Sequence, residues 1–285
     1  MNDPIQLNRP ATAPEKRPRL IACDVDGTLL TSAERVSARL RAVLTRALET
    51  GAEVALATGR PHRWIYPVLE QLPVMPVCVT ANGAVLYDSA SDTILRRHEL
   101  APEAMSEVVG IARRELGEVA VACERSGESA FDPEESLFVV APNYMHTWEA
   151  QGYAVLSEGT VLAEPAVKLL LRNESMTAPE MYARLADKID PRLAQLTFSM
   201  EEGLIEVGAP GVTKALGVAD LSEMHGVAQE RCIAFGDMAN DVEMLRWCGF
   251  GVAMGNARPE VKDAGDFTTV TNDEDGVARV LEWWY

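Results

Sequence analysis

Two carboxylates, Asp24 and Asp26, stand two residues apart where the apolar run at 20–23 gives way to the sequence DVDGT. One such group can attack phosphorus while the other gives a proton to the leaving group and takes one back, a division of labour that needs two acids. Gly27 lets the chain turn tightly behind them, and the Thr28 hydroxyl and nearby N–H groups could contact phosphate oxygens. Taken alone, a DxD pair is as often a plain acidic turn, so its weight depends on what else the chain supplies. Asp237, in GDMANDVEML, can join Asp24 around a hard cation, because Mg²⁺ prefers a few carboxylate oxygens, waters and substrate phosphate. Asn240 and Asp241 beside it also suit the cap of a helix through Val242, Met244 and Leu245, and the two roles can coexist. Thr58 and the Gly59 N–H, in ATGRP, could bind the equatorial oxygens where charge spreads during phosphoryl transfer, although Thr58 equally suits a plain strand end. Lys214, in GAPGVTKALG, follows a turn and opens a helix, so its ammonium could reach both phosphate and Asp24; a lone Lys is ordinarily a solvated surface residue.

Each of these groups sits at the end of a short apolar run. Residues 53–59, 77–83 and 231–237 read as strands like 20–23, and 250–254 and 266–270 as two more. Between them, Leu40, Val43, Leu44 and Leu48 recur at helical spacing with Gly51 at the C′ place, and a further helix is expected over 64–72. Alternating strands and helices predict an α/β fold, a Rossmann-like parallel sheet fed by both ends of the chain. In such sheets ligands bind beyond the carboxyl ends of the strands, where Asp24, Thr58, Asn82 with Gly83, and Asp237 all fall. Residues 86–207 differ, with strands expected at 137–141, 166–171, 197–200 and 204–207 and helices at 103–116 and 179–189. The predicted organisation is a loose Pro-rich arm at 1–18, a core from 19–84 and 208–285, and an inserted α+β cap domain at 85–207.

The net charge of −17 repels polyanions and disfavours a nucleic-acid partner, and any phosphate site must bring its own positive charge. No segment is apolar enough for a signal peptide or a membrane span, so a cytoplasmic protein with no membrane partner is expected. The five cysteines have no CxxC spacing, and Cys23, Cys78 and Cys232 lie in or beside apolar runs as buried thiols. His62, His98, His146 and His225 lack paired metal spacing and read as surface or packing residues. Arg60 could face a substrate or form a structural salt bridge, and Trp283, Trp284 and Tyr285 are expected to dock onto the core.

The segments DVDGTLL, ATGRP, TANGA, GVTK and GDMANDVEML resemble, in order and spacing, the motifs of the haloacid dehalogenase superfamily. The likeness is to its Cof-type phosphatases, with a C2-type (C2B) cap between the second and third motifs, and GVAMGNA and VTNDEDGVA resemble their closing segments. That resemblance implies a phosphatase in which Asp24 forms an aspartyl-phosphate, Asp26 is general acid and then base, and Thr58 and Lys214 hold the phosphate. It further implies Mg²⁺ ligation by the Asp24 carboxylate, the Asp26 backbone carbonyl and Asp237, with Asp241 close to the metal or to Lys214 and Asn240 aiding phosphate binding. Thr213 stands where Ser is frequent, a small departure. The implied substrate is a small phosphorylated metabolite: a sugar phosphate, a nucleotide or a cofactor phosphate. A phosphomannomutase-like phosphotransferase and a catalytically silent metabolite-binding regulator are the rival readings; the cap side chains that set specificity and the oligomeric state are not legible.

Overall fold

All four residues of strand β1 (Leu20–Cys23) are buried, as befits a strand covered on both faces of a parallel sheet. The structure, a computed structural model, describes residue 5, residues 7–145 and residues 152–285. Four more strands follow from the first part of the chain: β2 (Glu53–Ala57), β3 (Val77–Thr80), β4 (Val85–Asp88) and β5 (Thr93–Arg97). The middle contributes β6 (Ala120–Glu124), β7 (Phe138–Val140), β8 (Ala154–Val155), β9 (Lys168–Thr177), β10 (Gln195–Thr197) and β11 (Glu202–Gly208). The last three are β12 (Cys232–Gly236), β13 (Phe250–Ala253) and β14 (Phe267–Thr268).

They form two sheets. The first runs β14-β13-β12-β1-β2-β3-β4-β5, parallel as far as β3 and antiparallel at β3–β4 and β4–β5. Leu20 of β1 lies opposite Cys232 on one side and Glu53 on the other, so the strand that ends at Asp24 is central and draws its neighbours from both ends of the chain. This is the expected Rossmann-like α/β core. The second sheet, β10-β11-β9-β6-β7-β8, is antiparallel except where β7 meets β8.

Local sequence explains the helices that flank them. Helix α1 (Ala38–Glu49) starts where the Ser37 hydroxyl accepts the Leu40 N–H at 3.0 Å, and it turns Leu40, Val43, Leu44 and Ala47 inward. It stops at Gly51, whose φ of +79° suits a residue without a side chain. Helices α2 (Pro102–Leu116) and α3 (Ala178–Leu185) belong to the middle of the chain, followed by α4 (Lys214–Met224), α5 (Val242–Trp247) and α6 (Gly276–Leu281). Gly217 lets α4 lie close on β3: a Cβ there would stand 2.3 Å from Val79 Cγ1.

Several expectations need correcting. The hairpin β4–β5 extends the first sheet, so residues 85–97 belong with the core strands and not with the insert. Two β-rich runs around the turn DSASD could have announced it. The helix expected at 64–72 is only a 3₁₀ turn (His62–Trp64) and one short helical turn (Tyr66–Leu69), in a stretch punctuated by Pro61, Pro67, Pro73 and Pro76. Strand β6 was missed because Ala120, Ala122 and Cys123 carry little strand propensity.

The N-terminal arm is not loose where it is described. Trp284 Nε1 donates to the Pro14 carbonyl at 2.9 Å, Tyr285 Oη to Pro18 at 2.5 Å and Trp283 Nε1 to Leu7 at 3.3 Å, while Ala13 is buried. Composition suggested solvent, but the backbone carbonyls of this polar segment meet the donors of the C-terminal rings, which pack on the core as expected. All five cysteines are buried free thiols, and burial pushes Cys78 up to about 12. His146 lies outside the described residues. Among the described residues no helix is long and apolar enough to cross a membrane.

Candidate active site

The carboxyl ends of β1, β2, β3 and β12, with the start of α4, meet at one place. After β1 the chain turns through Gly27 at φ +78°, and a Cβ there would sit 2.5 Å from Asp237 Oδ2, so both conformation and space demand glycine. Gly83, at φ +97°, passes so close to the cap of α4 that a Cβ would lie 2.1 Å from the Thr213 carbonyl oxygen. The Thr213 hydroxyl accepts the Leu216 N–H at 3.3 Å, which starts α4 and turns Lys214 inward.

Lys214 is 1% exposed, and its Nζ donates to Asp24 Oδ1 and to Asp241 Oδ1, each at 2.6 Å. Asp24, Asp237 and Asp241 are buried with carboxylate oxygens within 4.8 Å of one another. One ammonium thus faces three acids. Burial pushes the Asp24 carboxyl well above the ordinary range, Lys214 pulls it back, and Asp241 and Asp237 push it further up. Asp237 is pushed up to about 6 by burial and by Asp241, against the Thr28 hydrogen bond. Lys214, which burial alone would lower, is held above its ordinary value by Asp24 and Asp241. An excess of buried negative charge, presented by hard oxygen donors, fits a small divalent cation.

The other expected residues take distinct places. Asp241 does not cap α5; its Oδ2 accepts the Asp237 and Met238 N–H groups, both at 3.0 Å, so it shapes the turn after β12 while its other oxygen holds Lys214. Thr28 turns to Asp237 Oδ1 at 2.7 Å, so its hydroxyl serves that carboxylate. Asn256, which was not foreseen, donates to the Gly27 carbonyl at 2.8 Å and approaches Asp237 Oδ2 at 3.4 Å. Buried Thr58 accepts the Arg60 N–H at 3.1 Å, leaving its own O–H to donate. Asp26, with a side chain 58% exposed, is gripped by Arg60 through two bonds at 2.8 and 2.5 Å. The hydrogen bond to Asp26 raises Arg60 above its ordinary value, so Arg60 is in an ion pair here. His62 packs on Tyr87 with ring centroids 5.0 Å apart, and burial lowers its pKa.

Asn240 Nδ2 donates to Asn82 Oδ1 at 3.0 Å, and Asn82 Nδ2 donates to Glu206 Oε2 at 2.8 Å. Glu206, on β11, also holds the Ser199 hydroxyl and Lys168 of β9, whose Nζ donates to the Gly59 carbonyl at 2.7 Å. Burial works against ionisation of Glu206, but Lys168, Ser199 and Asn82 together bring its pKa below the usual value. A second buried ion pair, Arg63 with Glu124, joins the chain after β2 to β6. Both sheets thus face one cavity of about 350 Å³, to which Asp24, Asp26, Gly59, Arg60 and Asn240 contribute from the first, and Glu124, Lys168 and Glu206 from the second. Asn82 lay at a recognised strand end, whereas Lys168 and Glu206 gave no sequence signal beyond a charge in a strand-like run.

Comparison with known proteins agrees with this geometry. The family model of the haloacid dehalogenase-like hydrolases matches residues 21–281. A 5-amino-6-(5-phospho-D-ribitylamino)uracil phosphatase of Bacillus subtilis (strain 168), YitU, is 32% identical over 272 residues, covering 95% of this chain and 99% of that protein. The HMP-PP phosphatase of Serratia proteamaculans (strain 568) is 31% identical over 272 residues, covering 93% and 95%. Among solved structures, the phosphatase BT1666 of Bacteroides thetaiotaomicron superimposes with a TM-score of 0.77 at 22% identity over 97% of each chain, a likeness of fold. By motif, by architecture and by relatedness over nearly its whole length, the chain belongs to the haloacid dehalogenase-like hydrolases, as a Cof-type phosphoric monoester hydrolase.

Proposed function

We propose that this protein is a Mg²⁺-dependent phosphatase that hydrolyses a small phosphorylated metabolite through an aspartyl-phosphate on Asp24. The observation that carries the reading is the Asp24 carboxylate, which lines the cavity, beside Lys214 Nζ at 2.6 Å and within a cluster of three buried acids. Asp24, Asp237 and the Asp26 backbone carbonyl would hold Mg²⁺, with Asp241 beside them; the ion would neutralise charge between the carboxylate and the incoming phosphate.

The residues of the chain supply the rest. An Asp24 oxygen bonds to phosphorus as the ester P–O bond breaks, and Asp26 gives the departing oxygen its proton. In the second half Asp26 takes a proton from water as that water attacks the acyl phosphate, releasing orthophosphate and restoring Asp24. The Arg60 pair has to open for this exchange, which the exposed position of Asp26 allows. Lys214, the Thr58 hydroxyl, the Gly59 N–H and the second N–H of the Asn240 amide bind the phosphoryl oxygens as charge spreads over them. The insert acts as a cap that keeps water away during the first step and admits it for the second. A cavity of about 350 Å³ in a chain of net charge −17 suits a small ester, with neither nucleic acid nor membrane as partner.

Phosphate release from a panel of monoesters with and without Mg²⁺ tests this, together with Asp24→Asn. The variant is expected to lose turnover by at least about a thousandfold while keeping its far-UV circular dichroism. Near-normal activity in Asp24→Asn would remove that residue from its role, and transfer of phosphate to a second sugar without release would favour a phosphotransferase.

A further inference from the structure

Three buried polar side chains, Glu206, Asn82 and Asn240, run in a line from the insert into the core. Asn240 Nδ2 donates to Asn82 Oδ1 at 3.0 Å, and Asn82 Nδ2 donates to Glu206 Oε2 at 2.8 Å. A primary amide exchanges donor for acceptor by a half-turn that hardly changes its shape, so neither asparagine fixes its own direction. Asn240 is the less constrained of the two, since among the described residues its Oδ1 has no hydrogen-bond partner. Glu206 differs in kind. An ionised carboxylate only accepts, and Lys168 and the Ser199 hydroxyl donate to it as well. Burial opposes its charge, but Lys168 with Ser199 and Asn82 keeps Glu206 ionised. Asn82 must therefore turn its nitrogen to Glu206 and its oxygen to Asn240, and Asn240 must answer with its nitrogen. The line has one allowed polarity, and the carboxylate at its far end sets it.

Resting on the phosphatase reading above, we infer that Asn82 and Glu206 are positioning residues: Glu206, through Asn82, holds the Asn240 amide so that its second N–H, and not its oxygen, meets the phosphoryl group. Reversed, the amide would set a carbonyl oxygen against an anionic oxygen and repel what it otherwise binds. Gly59 leaves room for the pair, since a Cβ there would lie 3.1 Å from Asn82 Oδ1 and 3.7 Å from Asn240 Nδ2. The backbone gives Asn82 a second use: its φ is +58°, in the left-handed region that Asn enters more readily than most residues. That use needs no amide and Gly serves it equally well, so the two uses can be separated by substitution.

A double-mutant cycle reads the coupling without turnover. With Mg²⁺ present, titration calorimetry measures the binding of orthovanadate, a mimic of the phosphoryl group in transfer, to the wild type, Asn82→Gly, Asn240→Ala and the double variant. Asn82→Gly keeps the backbone turn and is expected to bind about tenfold more weakly. Added to Asn240→Ala, it should change the affinity by less than about twofold, because the residue it acts through is gone. Glu206→Ala leaves Asn82 with no acceptor and should behave in the same way in both backgrounds. Glu206→Gln should restore most of the affinity, since its carbonyl still accepts from Lys168 and Asn82, more weakly but in the same direction, while its N–H₂ meets a Ser199 hydroxyl free to turn and accept. Binding by Asn82→Gly within about twofold of wild type overturns the inference, as do losses that persist undiminished beside Asn240→Ala; these residues would then serve only the backbone turn or the docking of the insert. A wild type that binds no orthovanadate overturns it together with the phosphate site. A coupled cycle in a protein that releases phosphate from no monoester would sink the phosphatase reading and leave the positioning standing; hydrolysis with an uncoupled cycle would do the reverse.

Discussion

Replacing Lys214 with Met keeps the length of the side chain and removes the ammonium that pairs with both Asp24 and Asp241. Both contacts are 2.6 Å long, and all three side chains are at least nine-tenths buried, so water cannot take over the role of the ammonium. Breaking a buried pair by removing one partner costs about 3–5 kcal/mol, because the remaining charge stays buried and unpaired. For a chain of this size each kcal/mol moves the melting temperature by about 2–4 °C, so a fall of about 6–20 °C is expected in metal-free buffer at pH 7. The pH dependence has a definite sign. Lys214 is raised above its ordinary 10.5, so its stabilisation is fully present below that pH and lost only above it; the lysine itself gives no variation between pH 5 and 9. Asp24, whose pKa is also raised, takes up a proton as the pH falls, and a neutral carboxyl has less need of the ammonium. The gap in melting temperature between wild type and Lys214→Met should therefore narrow as the pH is lowered, as read by differential scanning calorimetry in EDTA. Activity should drop by at least about a hundredfold if Lys214 serves the phosphoryl oxygens as proposed. A variant that melts within about 2 °C of wild type at pH 7, or whose deficit widens toward acid, would refute the electrostatic account of this site.

Mg²⁺ affinity should fall by at least about tenfold per pH unit once the pH drops below about 6, because Asp237, and Asp24 whose pKa is also raised, bind protons in competition with the ion. Titration calorimetry between pH 5 and 8 measures this, and a flat affinity would remove Asp237 from the ligand set. Gly27→Ala should cost about 1–3 kcal/mol in urea unfolding, since φ is +78° and the new methyl would meet Asp237; a change under about 0.5 kcal/mol would mean that the turn relaxes freely. Glu206→Gln should loosen the insert on the core by weakening the hold on Lys168 and Asn82. Hydrogen exchange should then quicken at residues 59–60 and 82, and unchanged protection there would assign the hold to the Arg63–Glu124 pair instead.

Much of the site was legible because its residues follow apolar runs. Asp24, Thr58 and Asp237 each interrupt a stretch that buries on both faces, and a polar group at such a place has to serve something. Lys214 was legible only through the motif around it: nothing local distinguishes it from a surface lysine, and its burial depends on Gly83 admitting the Thr213 carbonyl. The clasp of Lys168 and Glu206 was hidden for another reason. The two residues belong to neighbouring antiparallel strands whose register sets Glu206 opposite Leu170, and one sequence does not reveal that pairing. The places of the β4–β5 hairpin and of the docked arm are not legible in composition, which says neither which sheet edge a hairpin extends nor which donors meet a segment's carbonyls. The arm is polar along its side chains, yet it is fastened through its backbone carbonyls.

The central position of β1 also bears on how the chain acquires its activity as it is made. Leu20 emerges from the ribosome well before its partner Cys232 and the acids that follow it. Until then the strand bearing Asp24 lacks one neighbour and Asp237 is not there to complete the cluster, and contacts of such long sequence separation form late. A nascent chain halted before β12 would carry Asp24 and Lys214 without Asp237 and Asp241, so the cluster of three acids is assembled only after β12 has been made.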